Sequence, residues 1–238
     1  MTEPLPRKVK TIIFDLDDTL YDQQKAHRLA LEELANNWEI FENTEFNGLL
    51  KAFHEADESA MHKFRDGIPI DEIRQERSSE LLQILEIDTK HSEELTTKFY
   101  DLYPSQDAPI DGAKQLIQNL SKHYQLGLIT NSSKGVQMKK LDAIEIKDHF
   151  DFVIFSEEVG SRKPDEEIFL SALNYMNCKA KNCLYVGDSY ESDVIGAKNI
   201  GMQSCWFNKE NRYKTEKQLH DIEITELSQL TQILHNHS

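Results

Sequence analysis

Apolar positions along this chain follow two patterns: short continuous runs, and longer stretches with apolar residues at helical spacing. Short continuous runs are typical of strands that a parallel sheet buries on both faces. We predict strands of this kind at Thr11–Phe14, Leu126–Thr130, Phe152–Phe155, Cys183–Val186 and Ser204–Phe207.

Helical patterns separate the later runs. In Ala113–His123, Glu166–Met176 and Ser192–Ile200, the apolar residues recur on one face of a helix. Strands that alternate with helices of this length indicate βαβ units and a doubly wound sheet. The tail from Glu223 to His235 has the same helical spacing and predicts a packing helix. The fold class is therefore α/β, with a Rossmann-like parallel-sheet core.

The first strand breaks this alternation, because the residues that follow Leu20 contain no strand pattern until the second predicted strand. They carry four amphipathic helical stretches instead, at Lys25–Trp38, Glu45–Phe64, Asp71–Leu85 and Ser92–Leu102. Gly67–Pro69 separates the second stretch from the third. Four amphipathic helices form a small bundle. We therefore predict a helical cap domain, residues 21–105, inserted into an α/β core made of residues 1–20 and 106–238.

The formal net charge of -15 argues against a nucleic acid polymer as partner, because phosphate backbones attract basic patches. A small phosphorylated substrate is compatible with this charge, since a metal ion and a few cations can reverse the local field. No apolar stretch approaches the roughly 20 residues that span a bilayer, and the first residues lack an apolar signal-peptide segment. We expect a cytoplasmic protein without membrane association, a monomer or weak dimer.

Polar residues follow four of the predicted strands. They are Asp15 and Asp17 after the first strand, Thr130 and Asn131 after the second, Lys163 after the third, and Asp188 and Asp193 after the fourth. Ligands of open α/β sheets bind beyond the carboxyl ends of the strands, so we expect these residues to share one site. The first two aspartates are two positions apart and point the same way if the backbone is extended. One carboxylate can then attack while its neighbour carries a proton.

In this order, these residues resemble the motifs of the haloacid dehalogenase (HAD) superfamily, and within it the capped phosphatases of subfamily I. The matching segments are Asp15-Leu16-Asp17-Asp18-Thr19-Leu20, Leu128-Ile129-Thr130-Asn131, Arg162-Lys163-Pro164-Asp165 and Val186-Gly187-Asp188. The resemblance implies a phosphomonoester hydrolase with an aspartyl-phosphate intermediate. Dehalogenases of the superfamily lack an acid at the position of Asp17, so its presence favours a phosphate ester over an alkyl halide.

The resemblance also implies roles for these residues in phosphoryl transfer. Asp15 would be the nucleophile, and Asp17 would protonate the leaving alkoxide and then deprotonate the attacking water. Lys163 would place a positive charge beside the phosphate and the nucleophile. Thr130 and the backbone amide of Asn131 would donate hydrogen bonds to a phosphate oxygen.

A magnesium ion is the implied cofactor, because two carboxylates and a phosphate would repel one another without a cation. Mg²⁺ prefers oxygen ligands and usually binds one or two carboxylates together with phosphate and water. The implied ligands are Asp15, Asp188 and the backbone carbonyl of Asp17, with Asp193 close by.

The substrate implied by the resemblance is a small phosphorylated metabolite such as a nucleoside 5'-monophosphate. The short cap, Lys163-Pro164 and Ser204–Asn208 look most like the branch of bacterial nucleoside 5'-monophosphatases. The candidate substrate contacts are Tyr21, Gln23, Arg74 and Arg77. The two arginines share a helical face, and a solvated pair balanced by acidic neighbours is the alternative interpretation.

Other functions stay open at this point. A sugar-phosphate or phosphoglycolate-type phosphatase, or a phosphomutase on the same scaffold, would use the same core residues. A receiver-like phosphoacceptor signalling domain is an alternative from a different class. Its acceptor aspartate follows the third strand, however, whereas the acidic pair of this chain follows the first.

Overall fold

The computed structural model describes residues 9–65, 70–209 and 218–235. The described residues form two compact units: one contains the residues up to Gln23 and from Asp107 onward, and the other contains Gln24–Gln106. The predicted break at Gly67–Pro69 lies outside the described residues. Across the three described ranges, none of the helices combines the length and the apolar character that crossing a bilayer requires.

A parallel sheet forms the centre of the first unit. Its strands are β1 (Thr11–Phe14), β2 (Gln125–Thr130), β3 (Phe152–Phe155), β4 (Cys183–Gly187), β5 (Gln203–Phe207) and β6 (Ile222–Ile224). The strand order is β3-β2-β1-β4-β5-β6, and all neighbours pair in parallel. β1 therefore lies between β2 and β4, where the strand order reverses. This switch point is where open α/β sheets bind their ligands.

The predicted α/β core is confirmed, with one correction at the end of the chain. The tail was predicted to be helical from Glu223, but Ile222–Ile224 forms β6 and the helix begins only at Leu227. Ile222 and Ile224 are buried while Glu223 is exposed. Three residues with this alternation are too few for periodicity to separate the end of a strand from the start of a helix.

The second unit is a bundle of helices. They are α1 (Gln23–Asn37), α2 (Phe46–Arg65), α3 (Ile70–Ile84) and α4 (Ser92–Leu102). α3 packs against both α2 and α4. The predicted apolar faces point inward: Phe53 of α2 and Phe99 of α4 are buried, with ring centroids 5.1 Å apart. The amphipathic spacing therefore predicted these four helices to within a few residues.

Further helices cover the sheet of the first unit. They are α5 (Ala113–Leu120), α6 (Lys134–Ala143), α7 (Ser156–Val159), α8 (Glu166–Met176), α9 (Gly196–Asn199) and α10 (Leu227–His235). A regular helix was predicted at Ser192–Ile200, but a π-helix at Tyr190–Ile195 leads into α9 there. α6 was not predicted, because two of its buried residues are polar, Gln137 and Lys140. Their polarity removes the apolar spacing that identifies an amphipathic helix.

Candidate active site

Asp15 lies directly after β1, in the middle of the sheet. Its backbone N–H donates to the carbonyl of Val186 on β4 at 2.9 Å, which extends the strand pairing by one residue. Its side chain is buried, with 6% of the residue exposed. The carboxylate accepts hydrogen bonds from the Lys163 ammonium at Oδ1 and from the Thr19 hydroxyl at Oδ2. The sheet and two side chains thus fix the predicted nucleophile.

Three of the predicted metal ligands come together at this edge of the sheet. Carboxylate oxygens of Asp15, Asp188 and Asp193 lie within 4.8 Å of one another. Thr19 connects Asp15 with Asp188, because its hydroxyl group donates to Asp15 and also accepts the backbone N–H of Asp188 at 3.1 Å. The carbonyl of Asp188 accepts from Nε1 of Trp206 on β5 at 2.8 Å. Hydrogen bonds with Thr19 and Trp206 therefore fix the backbone of the loop that follows β4.

Asp193 can approach the end of β4 because residue 187 is a glycine. A Cβ on Gly187 would lie 2.3 Å from Oδ2 of Asp193. That oxygen accepts the backbone N–H of Ser189 at 3.0 Å. Oδ1 of Asp193 accepts from Lys163 Nζ at 2.7 Å and from the Tyr185 hydroxyl at 3.2 Å. Asp193 therefore connects the β4 loop to the lysine that follows β3.

Lys163 is buried among oxygen atoms. Besides Asp15 and Asp193, its Nζ donates to the hydroxyl of Tyr185 at 3.1 Å. Its backbone is held by the side chain of Asn131, which accepts the Lys163 N–H at 2.7 Å and donates to the Lys163 carbonyl at 2.9 Å. The loop after β2 and the loop after β3 are thereby fixed to each other.

The charges of this cluster do not balance. Burial raises the pKa of Asp15 to about 7. The positive charge of Lys163 offsets part of this increase, whereas repulsion from Asp193 and Asp17 adds to it. Burial and the charges of Asp15 and Asp193 raise the pKa of Asp188 to about 8. Burial opposes the charge of Lys163, yet the attraction of the two carboxylates raises its pKa well above the usual value.

When all three carboxylates are ionised, they and the one ammonium group leave two negative charges at the buried edge of the sheet. A divalent cation would neutralise them, and carboxylate oxygens are the ligands that Mg²⁺ prefers. The residues present therefore fit the predicted cofactor.

Asp17 is held by two side chains that the sequence analysis did not identify. Its Oδ2 accepts from Nε2 of Gln137 at 2.7 Å, and its Oδ1 accepts from Nζ of Lys140 at 2.5 Å. Both donors lie on α6 and are fully buried. Nε2 of Gln137 also donates to the hydroxyl of Thr130 at 2.9 Å. The available sequence signal was a polar pair three positions apart, just after the Thr130-Asn131 motif.

The predicted substrate contacts have partners inside their own units. Arg77 is buried in the second unit, where its guanidinium donates to Asp57 at 2.7 Å and to the Tyr100 hydroxyl at 2.8 Å. The guanidinium of Arg74 lies 4.4 Å from the centre of the Tyr100 ring. The alternative of a solvated arginine pair is therefore wrong for Arg77.

Tyr21 and Gln23 lie close to the first motif. Tyr21 is fully buried, and Nζ of Lys140 lies 5.2 Å from the centre of its ring. The backbone N–H of Gln23 donates to Oδ1 of Asp18 at 3.2 Å. These contacts give both residues a place in the fold, and their binding of substrate stays a prediction.

Known proteins resemble the chain over most of its length. A model of the haloacid dehalogenase-like hydrolase family matches residues 9–201. The glyceraldehyde 3-phosphate phosphatase of Pyrococcus furiosus is 30% identical over 240 residues, which cover 96% of this chain and 94% of the relative. The pyrimidine 5'-nucleotidase YjjG of Escherichia coli is 35% identical over 130 residues, 54% of this chain and 58% of the relative. The solved structure of the HAD-hydrolase YfnB from Bacillus subtilis, bound to magnesium, superimposes with a TM-score of 0.83 at 28% identity, covering 96% and 99% of the two chains.

Proposed function

The chain belongs to the haloacid dehalogenase-like hydrolases, and on that basis we propose that it hydrolyses phosphate monoesters of small metabolites with Asp15 as nucleophile and Mg²⁺ as cofactor. The observation that carries this proposal is the cluster of Asp15, Asp188 and Asp193, whose carboxylates lie within 4.8 Å of one another beside Lys163. Phosphoryl transfer needs an in-line nucleophile and neutralisation of charge on the phosphoryl oxygens. Asp15 supplies the nucleophile, and Lys163 supplies part of the neutralising charge.

In the first step, a carboxylate oxygen of Asp15 attacks phosphorus and the bond to the leaving alkoxide breaks. Asp17 gives its proton to the alkoxide, so the products are an aspartyl phosphate and an alcohol. Lys163 is positioned by Asn131 and places its charge against the attacking carboxylate. The Thr130 hydroxyl and the backbone amide of Asn131 are proposed to donate hydrogen bonds to a phosphoryl oxygen.

In the second step, a water molecule attacks the aspartyl phosphate and Asp17 takes the proton. The carboxylate of Asp15 is restored and inorganic phosphate leaves. General acid–base help of this kind is typically worth about 10²–10⁴-fold in rate. Asp17→Asn should therefore lose most of its turnover.

Asp15, Asp188 and the backbone carbonyl of Asp17 would hold the magnesium ion, with Asp193 beside them. Bound there, the ion would neutralise the charge between the carboxylates and the phosphate. The magnesium bound to YfnB, a related hydrolase of the same fold, supports this assignment.

Two substrate classes are supported by different relatives. Similarity over nearly the whole chain to a glyceraldehyde 3-phosphate phosphatase supports a small sugar phosphate. Similarity over about half of the chain to a pyrimidine 5'-nucleotidase supports a nucleoside 5'-monophosphate, the substrate that the sequence analysis favoured. Both are small phosphate monoesters, which the same core residues can hydrolyse.

The experiment is to measure phosphate release from a panel of sugar phosphates and nucleoside 5'-monophosphates, with Mg²⁺ or with a chelator. We expect metal-dependent release that Asp15→Asn abolishes. The matched control is Asp148→Asn, an exposed aspartate in the turn before β3, at the opposite edge of the sheet from the cluster. Turnover that survives chelation, or that survives the loss of Asp15, contradicts the mechanism. Conversion of substrate without free phosphate would indicate a phosphomutase.

A further inference from the structure

We infer that Lys140 and Gln137 are positioning residues that hold the carboxylate of Asp17 for proton transfer. The inference rests on the proposed function, since it assigns a mechanical role to side chains around the proposed general acid. Each oxygen of Asp17 has its own donor: Lys140 Nζ at 2.5 Å and Gln137 Nε2 at 2.7 Å. A carboxylate held at both oxygens cannot rotate without breaking one of these bonds.

Lys140 is an unusual residue to bury. Its side chain is 0% exposed, and it pairs with a carboxylate that keeps 23% of its side-chain surface exposed. Full burial of an ammonium group is costly unless an opposite charge compensates it, and an apolar residue could fill the same space. The lysine also lies over the ring of the buried Tyr21, at 5.2 Å from its centre. The site therefore confines the cation between Asp17 and an aromatic face.

Gln137 connects Asp17 to the proposed phosphate site. Its Nε2 carries two hydrogen atoms and makes two bonds, to Asp17 Oδ2 and to the Thr130 hydroxyl oxygen at 2.9 Å. Since Thr130 accepts this bond, its own proton is available for another acceptor. In the proposed mechanism that acceptor is a phosphoryl oxygen. One amide thus orients both the proton donor and a phosphate-binding hydroxyl.

The two donors belong to one rigid element. α6 begins at Lys134, shortly after Thr130 ends β2, and Gln137 and Lys140 lie three residues apart on one helical face. Proton transfer is sensitive to such support, because a displacement of about 1 Å can lower a rate by about 10²-fold. Loss of either donor should therefore affect the proton transfer more than the binding of substrate.

The test compares two leaving groups, because only one of them needs a proton. An alkyl phosphate releases a strongly basic alkoxide, whereas dinitrophenyl phosphate releases a stable phenolate that leaves without protonation. We expect Lys140→Met to lower kcat for the alkyl phosphate by about 10- to 100-fold, with a much smaller loss in the release of dinitrophenolate during the first turnover. KM for the alkyl phosphate should change little. Gln137→Leu, which removes no charge, should show the same selectivity.

Lys139→Met is the matched control, since this lysine is the exposed neighbour on α6. All variants are first compared by circular dichroism and thermal melting. Equal losses for the two leaving groups, or a loss that appears only in KM, would overturn the inference. If Lys140→Met does not fold, Gln137→Leu decides between these outcomes. Failure of the proposed function is seen separately, as absence of Asp15-dependent phosphate release from the wild-type protein.

Discussion

Replacement of Lys163 by methionine tests most directly how the positive charge of this lysine stabilises the buried carboxylates of the site. The lysine side chain is 3% exposed and lies between Asp15, 9% exposed, and Asp193, 1% exposed. Methionine keeps most of the apolar stem and removes the ammonium group. The two carboxylates would then face each other without their shared cation.

The expected loss of stability follows from the geometry. At an effective dielectric constant of about 20, two opposite unit charges about 3 Å apart attract each other by roughly 5 kcal/mol before desolvation. Removal of one partner of a buried pair typically costs about 3–5 kcal/mol, because the other partner is left buried and uncompensated. We expect a loss in this range for the metal-free protein at about pH 8, where Asp15, with a pKa of about 7, is mostly ionised. The loss should be smaller at about pH 5, where Asp15 is protonated.

The measurement is urea unfolding followed by circular dichroism in the presence of a chelator. The slope m should stay unchanged, so that the shift in midpoint reports stability alone. Lys181→Met, at an exposed lysine before β4, is the matched control and should change stability by less than about 0.5 kcal/mol. A loss for Lys163→Met no larger than that of the control, or one that is equal at both pH values, would refute the reasoning.

Three further predictions concern the site and the helical unit. Burial and nearby carboxylates raise the pKa of Asp188 from 3.8 to about 8, so the metal-free protein should lose stability as pH rises toward and through that value. Mg²⁺ should restore the lost stability. A thermal-melting series in which pH has no effect on the metal-free protein would contradict this prediction. Gly187→Ala should displace Asp193, because Oδ2 of Asp193 would lie 2.3 Å from the new Cβ. We expect urea unfolding to show a loss of about 1–3 kcal/mol in stability, and activity assays to show slower phosphate release. The control Gly135→Ala, in open space on α6, should change neither stability nor phosphate release. Arg77→Met should lower stability by about 2 kcal/mol with KM unchanged; a raised KM at unchanged stability would support substrate binding instead.

The central strands could be predicted because they are buried on both faces. Each of the residues from Thr11 to Phe14 is buried, and the same holds for Cys183–Gly187. Such strands appear in a sequence as uninterrupted apolar runs, and the polar residues that end them are then visible by contrast. The parallel pairing places those ends at one edge, so Asp15 and Asp188 could be expected to meet.

The support of Asp17 could not be predicted by the same approach. α6 carries buried Gln137 and Lys140 where an ordinary amphipathic helix would carry apolar residues. Their burial makes sense only once Asp17, more than a hundred residues earlier in the chain, is known to be their partner. Similarly, burial of Arg77 depends on Asp57 and Tyr100 from neighbouring helices, and its sequence neighbours do not reveal it.

The position of β1 in the sheet has a consequence for how the molecule fluctuates. β1 is paired on both sides, and the amide proton of Asp15 is bonded to Val186. Amides of such central strands exchange with solvent mainly through global opening, whereas peripheral segments open locally. The nucleophile thus belongs to the part of the protein that is last to open. Substitutions that loosen only a peripheral segment should therefore leave the Asp15 amide as protected as before, and leave the turnover of each intact molecule unchanged.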